Sequence, residues 1–555
     1  MITTDTPPAH PPALRVALTR RGLFTLAGAS AALAATPLAA RSFGSGFTHG
    51  VASGEPGADR VMLWTRFVAE QPADLVWQVS ESEDFTRPVA EGSARAMPER
   101  DWCAKSWAEG LMPGRWYFYR FIAPDGSISP VGRTRTLPAA GVERFRLAVF
   151  SCSNYGFGWF NAYGHAAQAN DCDLAVHLGD YIYEYGIGTY PDPGQAAPGR
   201  VIDPAHEIVT LTDYRLRYAT YRADPDCQRL HQVLPMISVW DDHESANDAW
   251  KDGAENHQST TEGDWAMRKA IAKRVYHEWM PVSDAAYTTY QIGDLATLFK
   301  LDTRLEGRDR QLDLGKVLAG AKDRLEAMEA LIRFRDGEWA NPDRQLLGPA
   351  QEAWLAAALK QSRASGTHWQ VLVQQVLMGN LKTPVSIVDQ LGSAGPDFVS
   401  QRLKVAALAS EVGLPGNMDA WDGYPAARAR VFKAALAADA NLLVLAGDTH
   451  NAWAFELAQD GARVGVELGV CSVSSPGLES YLSFMKPADL ARTLVSSNPQ
   501  LQWADTAQRG YIMVELTPER ALAEYRFTGS AKQRSIRLSG TKVIASQKGS
   551  AKLDV

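Results

Sequence analysis

Five segments end apolar runs in side chains that can bind cations or move protons. In VHLGDYIYE an apolar strand pattern runs into a glycine turn and then Asp180, with Tyr183 three residues on. A carboxylate at a strand end can bridge two cations, and a phenol one turn later can reach one of them. Because a phenol titrates at about pH 10, binding as tyrosinate requires a strongly acidic metal such as Fe(III). The alternative is a turn aspartate capping a helix, with Tyr183 in the core. ISVWDDHE delivers Asp241, Asp242, His243 and Glu244 consecutively to a loop. There a carboxylate can take a metal while the imidazole acts as an acid or as a donor to a developing oxyanion; a solvated acidic turn is the plainer reading. LLVLAGDTHN places Asp448 and His450 two apart, able to point at one cation, with Asn451 able to hold a ligand or a phosphate. RLAVFSCSN sets Cys152 just past a strand, where a thiol is a small buried hydrophobe or, beside a ferric ion, a thiolate ligand. LFKLDTR brings Asp302 and Arg304 to a fifth strand end, where arginine suits bidentate phosphate recognition or an internal ion pair fixes the loop.

These groups need elements that present them along one edge. The runs that carry them, together with HWQVLVQQVLMG, are apolar throughout rather than alternating, as in sheets covered on both faces. In such α/β folds ligand-binding groups stand just past the strand ends. Before them, from about residue 47 to 138, short alternating segments (RVMLWTRF, LVWQVS, WYFYRFIA, GRTRTLP) separated by Gly, Pro and Asp turns predict a small antiparallel β-sandwich. Helical spacing in KDRLEAMEALIRFR marks a core-facing helix. The expected divisions are a signal region at 1–42, a β-sandwich at 45–140, a catalytic region at 144–530 and a C-terminal tail at 531–555.

With 555 residues, 46% hydrophobic and 21% charged, the chain can bury a large core in more than one domain. A net charge of −7 gives no reason to expect nucleic-acid wrapping, so a phosphate-bearing ligand must be attracted locally by metal or arginine. Five scattered cysteines lack zinc-site or disulfide spacing, and their odd number leaves at least one free thiol. Arg20 and Arg21 precede an Ala-rich stretch too weakly apolar to be a good membrane span, which reads as a twin-arginine export signal. No Walker A loop, HExxH or GxSxG occurs, which removes the main support for P-loop, zincin and serine-hydrolase chemistry.

In this order, with FTHGVASGEP, TDYRLRYATYRADPD, LDTR, AWDGYP, SVSSPG and the twin-arginine leader, the segments resemble the alkaline phosphatase D family. That family is a branch of the calcineurin-like metallophosphoesterases related to the purple acid phosphatases. The resemblance implies a four-layer α/β/β/α catalytic domain after a β-sandwich, holding Fe(III) with one or two Ca(II). It implies an exported, periplasmic or secreted alkaline phosphatase and phosphodiesterase acting on small phosphate esters. Carried over, Asp180 bridges the metals, Cys152 and Tyr183 bind the ferric ion, and Asp448 and His450 complete the cluster. Asp242 takes the place of an asparagine in related enzymes, with the choice between Asp241 and Asp242 open, and His243 matches the catalytic histidine. Metal-activated hydroxide then attacks phosphorus in line, with His243 and Arg304 stabilising charge on the oxygens. Two other readings are a phospholipase D-like phosphodiesterase, its selectivity set by loops near 186–201 and 317–418, and a non-catalytic exported binding protein.

Overall fold

The computed structural model describes residues 44–391 and 397–555; the twin-arginine segment lies outside them. Two large sheets and one small one form a mixed α/β fold. The apolar runs are parallel strands. Phe145–Phe150, Leu174–His177 and Met236–Ser238 lie side by side in a nine-stranded sheet, with Leu147 opposite Leu174 and Ala175 opposite Met236. Ala296–Lys300, Trp369–Val373, Leu442–Ala446 and Ala462–Gly469 do the same in a seven-stranded sheet.

Side chains alternate across a strand, and the alternation sorts these residues into separate clusters. Leu147, Val149, Leu174, Val176 and Ile237 of the first sheet meet Leu298, Val371, Val373, Leu443 and Leu445 of the second in one buried core. The intervening residues Ala148, Phe150 and Ala175 pack with Tyr214, Tyr218, Val275 and Trp279, from the helices Leu211–Arg222 and Trp265–Trp279. Phe299, Leu372 and Val444 pack with Leu355, Val431 and Leu490, from the helices Pro349–Ala364, Pro425–Ala437 and Pro487–Ser497. The sheets are tied at their carboxyl edges: the Gln375 side-chain amide donates to the Trp240 carbonyl at 2.7 Å and the Leu301 carbonyl at 3.0 Å.

The N-terminal strands divide between two sheets that pack face to face. Ala73–Ser80, Pro88–Ala96, Trp116–Ile122 and Gly132–Arg135 form the small sheet, but Gly46–Gly54, Arg60–Val68 and Cys103–Glu109 extend the nine-stranded sheet. Leu63 and Phe67 on one face of that extension pack against Leu75, Trp77 and Phe121 of the small sheet, while Trp64 on the other face joins the helix-covered core. The seam is a close approach at Gly54. A Cβ there would lie 2.3 Å from the Pro281 carbonyl oxygen and 2.7 Å from that of Met236.

Residues 531–555, expected as a tail, instead contribute the strand Leu538–Gln547, the edge of the nine-stranded sheet. Its sequence LSGTKVIASQ buries only Ile544 and Ser546, so it carries no apolar run to announce it. Among the described residues no helix is long and apolar enough to cross a membrane.

Candidate metal centre

Parallel pairing brings the carboxyl ends of these strands to one edge, where the loops are laced together. The Cys152 N–H donates to the Gly179 carbonyl at 3.1 Å and the Ser153 N–H to the Asp180 carbonyl at 2.9 Å. Glu244, part of the acidic run after Met236–Ser238, turns away from the centre and accepts backbone N–H groups of Asp180, Tyr181 and Asp241. Two glycines let the loops close. A Cβ on Gly179 would meet Asp241 Cβ at 2.4 Å, and one on Gly447 would meet Ser151 Oγ at 2.2 Å. Cys152, Asp180, Asp448 and His450 all have left-handed backbones, with φ of 59°, 55°, 65° and 63°. This conformation is unfavourable for residues with a Cβ and concentrates at functional sites.

Three sets of side chains place potential ligand atoms within 4.8 Å of one another: Cys152, Asp180 and His450; Asp180, Asp242 and His243; Asp241, Asp242 and Asp448. Asp180 links the first two and Asp242 the last two. The Tyr183 hydroxyl donates to Asp180 Oδ2 at 3.0 Å and lies 3.1 Å from His450 Nε2 and 2.8 Å from Ser475 Oγ. His450 Nδ1 is 2.9 Å from the Pro476 carbonyl, which can only accept, so Nδ1 carries the proton and Nε2 keeps a lone pair for a ligand bond. Burial pushes its imidazolium down to about 3, keeping the ring neutral. The side chains of Asp180 and Asp241 are buried, yet Asp180 Oδ1 and Asp241 Oδ2 have no hydrogen-bond partner.

The electrostatics suit cations. Burial, only partly countered by His243, pushes the Asp180 carboxyl well above its usual range, with Asp242, Asp241 and Glu244 adding to the rise. Burial and Asp180 push the Cys152 thiol up as well. Bound positive charge relieves both effects, and the set of carboxylates, one neutral imidazole, one thiol and one phenol offers hard and soft donors together. Asp448, with its side chain 18% exposed, lies toward solvent.

His243 Nδ1 is 2.6 Å from Glu184 Oε2. Burial alone would lower its pKa, but Glu184, Asp242 and Asp180 outweigh that and raise it well above the usual imidazole value. Glu184 is fixed in turn by the Asn247 N–H at 2.7 Å and Asn256 Nδ2 at 3.0 Å. Arg304 is buried, and its donors are engaged by Asp241, Asp419 and Asp448 rather than left free for phosphate. Asp302 caps the same loop by accepting the Arg304 and Leu305 N–H groups at 2.7 and 2.8 Å. The Asn451 amide fixes its loop, Nδ2 donating to the Thr449 carbonyl and Oδ1 accepting the Leu478 N–H at 3.0 Å. Glu184 and Asp419 were not foreseen, although they lie in the noted GDYIYE segment and next to AWDGYP.

Parallel strand ends converging on a buried thiol, imidazole and carboxylate cluster, with overlapping ligand sets, define an α/β protein with a candidate multi-cation hydrolytic centre. The chain belongs to the PhoD-like phosphatase family, whose family model matches residues 147–525, with the family's N-terminal domain matching residues 31–138. It is 34% identical over 506 residues to alkaline phosphatase D of Bacillus subtilis (strain 168), a match covering 86% of this chain and 77% of that protein. The solved structure of PhoD superposes with a TM-score of 0.73 at 30% identity, covering 92% of each chain.

Proposed function

We propose that this PhoD-like phosphatase hydrolyses small phosphate mono- and diesters at alkaline pH, with Fe(III) in the Cys152, Asp180, Tyr183 and His450 pocket and Ca(II) among Asp241, Asp242 and Asp448. The observation that carries this reading is the sharing of Asp180 and Asp242 between ligand sets, with the unpartnered oxygens Asp180 Oδ1 and Asp241 Oδ2 buried beside them. A thiolate, a carboxylate and a tyrosinate suit a trivalent, acidic ion, whereas an all-carboxylate set suits a hard divalent one. When bound, the cations supply an acidified water for attack on phosphorus and Lewis-acid polarisation of the phosphoryl oxygens.

The protein's own groups do the rest. Glu184 holds His243 by Nδ1, leaving Nε2–H to donate to a phosphoryl or leaving oxygen. Asp448 and His450 fix one side of the centre, with Pro476 setting the His450 tautomer. Arg304 orders the carboxylates around it.

In the wider reading, the two large sheets and their helices form a four-layer α/β/β/α catalytic region from about residue 144, with the preceding β segments as its accessory. Residues 1–42 direct twin-arginine export to the periplasm or beyond. Both assignments agree with the resemblance noted for the sequence.

Visible absorbance and metal analysis test the centre. Wild-type protein should be coloured and contain iron and calcium, Tyr183→Phe should lose the tyrosinate band, and Asp180→Ala should lose both metal and hydrolysis. Active, colourless, iron-free wild type would refute the ferric assignment, and unchanged hydrolysis by Asp180→Ala would refute the mechanism.

A further inference from the structure

The guanidinium of Arg304 sits among the carboxylates of one ligand set. Its Nε donates to Asp241, while its Nη2 donates to Asp448 Oδ1 at 3.1 Å and stands 3.8 Å from Asp242 Oδ1. Every carboxylate of the Asp241, Asp242 and Asp448 set is therefore within ion-pairing distance of a single buried arginine. Nη1 donates to Asp419 Oδ1 at 2.8 Å, and Asp419 is also held by Arg308 and by Gln311 Nε2 at 2.6 Å. Arg308, buried too, is anchored by the Thr303 carbonyl at 3.0 Å. The assembly joins the loops that follow three different strands.

In so buried a place opposite charges must nearly cancel. When ionised, the four carboxylates Asp241, Asp242, Asp419 and Asp448 face the two guanidiniums of Arg304 and Arg308. Asp248 and His243 also act on this set; whatever the total, losing the Arg304 charge leaves the position one unit more negative, which favours a trivalent ion over a divalent one. Among the described residues neither Cys152 nor Asp180 has an arginine or lysine partner; the cationic group that acts on Asp180 is His243.

We propose that Arg304 is a valence-setting residue: its fixed positive charge makes the Asp241, Asp242 and Asp448 position select a divalent cation over a trivalent cation of similar size. The proposal rests on the reading that these carboxylates hold a cation. Its physical basis is that the repulsion between guanidinium and metal scales with the product of their charges, and so penalises the trivalent ion more. Arg304 thereby positions ligands and tunes the site without touching substrate.

The test is a competition between Ca(II) and Tb(III) on full-length holoprotein, read by sensitised terbium luminescence and by elemental analysis, with iron content followed to detect exchange in the ferric pocket. R304Q should move the affinity ratio toward terbium by about tenfold or more, while R304K, which keeps the charge, should move it by less than about threefold. An unchanged ratio in R304Q, or equal shifts in R304Q and R304K, overturns the proposal. Should R304Q fail to fold by circular dichroism, D419N decides. Losing one negative charge from the same assembly should shift the ratio toward calcium by about tenfold, and no shift overturns the proposal. Wild type taking up neither ion at this position, with D448N leaving the stoichiometry unchanged, would instead overturn the ligand reading beneath it.

Discussion

Glu184 shows how much of the centre depends on groups that never face a cation. It is buried and its carboxylate fixes the ring of His243, so its loss frees the imidazole to rotate and to change tautomer. Glu184→Gln should lower kcat by about 10- to 100-fold while leaving metal content intact, as checked by steady-state kinetics beside elemental analysis. A variant with normal kcat would show that the contact is only structural. The groups gathered at the centre were largely legible in the sequence, because each follows an apolar run that stops at a turn: Cys152, Asp180, Asp242 and Asp448 all stand just past a strand. Glu184 and Asp419 were not, because their partners lie 59 and 115 residues away and local pattern says nothing about which carboxylate meets which ring or guanidinium. The local pattern around Arg304 and Asn451 marks polar groups past a strand end, but it does not say that neighbouring carboxylates and backbone already occupy their donors.

Among the elements, Ala462–Gly469 carries Glu467 in the middle of a buried parallel strand. Its carboxylate accepts the N–H groups of Met378 and Gly379 at 2.7 and 2.8 Å, which fixes the loop after Trp369–Val373. Burial, against the pull of those two donors, pushes its carboxyl from 4.5 up to about 7. A carboxyl raised in the folded state binds its proton more tightly there than in the unfolded chain. Its contribution is therefore fully present below 4.5 and is lost as pH rises through about 7. Glu467→Gln should flatten the fall in stability across this window, measured as the urea midpoint at successive pH values; an unchanged slope would mean that other groups cause it. The strands of this sheet were legible as apolar runs. The sheet that each N-terminal strand joins was not, since alternation in RVMLWTRF fixes its faces but not the seam at Gly54 that attaches its neighbour to Met236.

At the scale of the whole molecule, the last residues close the nine-stranded sheet. Leu538–Gln547 pairs along the full length of Arg520–Thr528, and the segment before it is fastened by Arg534 to Asp226 at 2.8 Å and by the Ser535 N–H to Asn161 at 2.8 Å. Deleting residues 531–555 should bare that edge and drive association, visible as aggregate in size-exclusion chromatography. A monomeric truncated protein of unchanged melting temperature would contradict it. The local pattern does not announce this strand, because a sheet edge can be built from small and polar residues once its partner supplies the register. The left-handed backbones of Cys152, Asp180, Asp448 and His450 bear on how such a protein evolves. Each costs about 1–2 kcal/mol that glycine would not, and at the two aspartates glycine would also remove crowded negative charge. A randomised library selected for heat resistance alone should therefore enrich glycine at these four positions while discarding catalysis, the exchange of durability for turnover that such backbones embody.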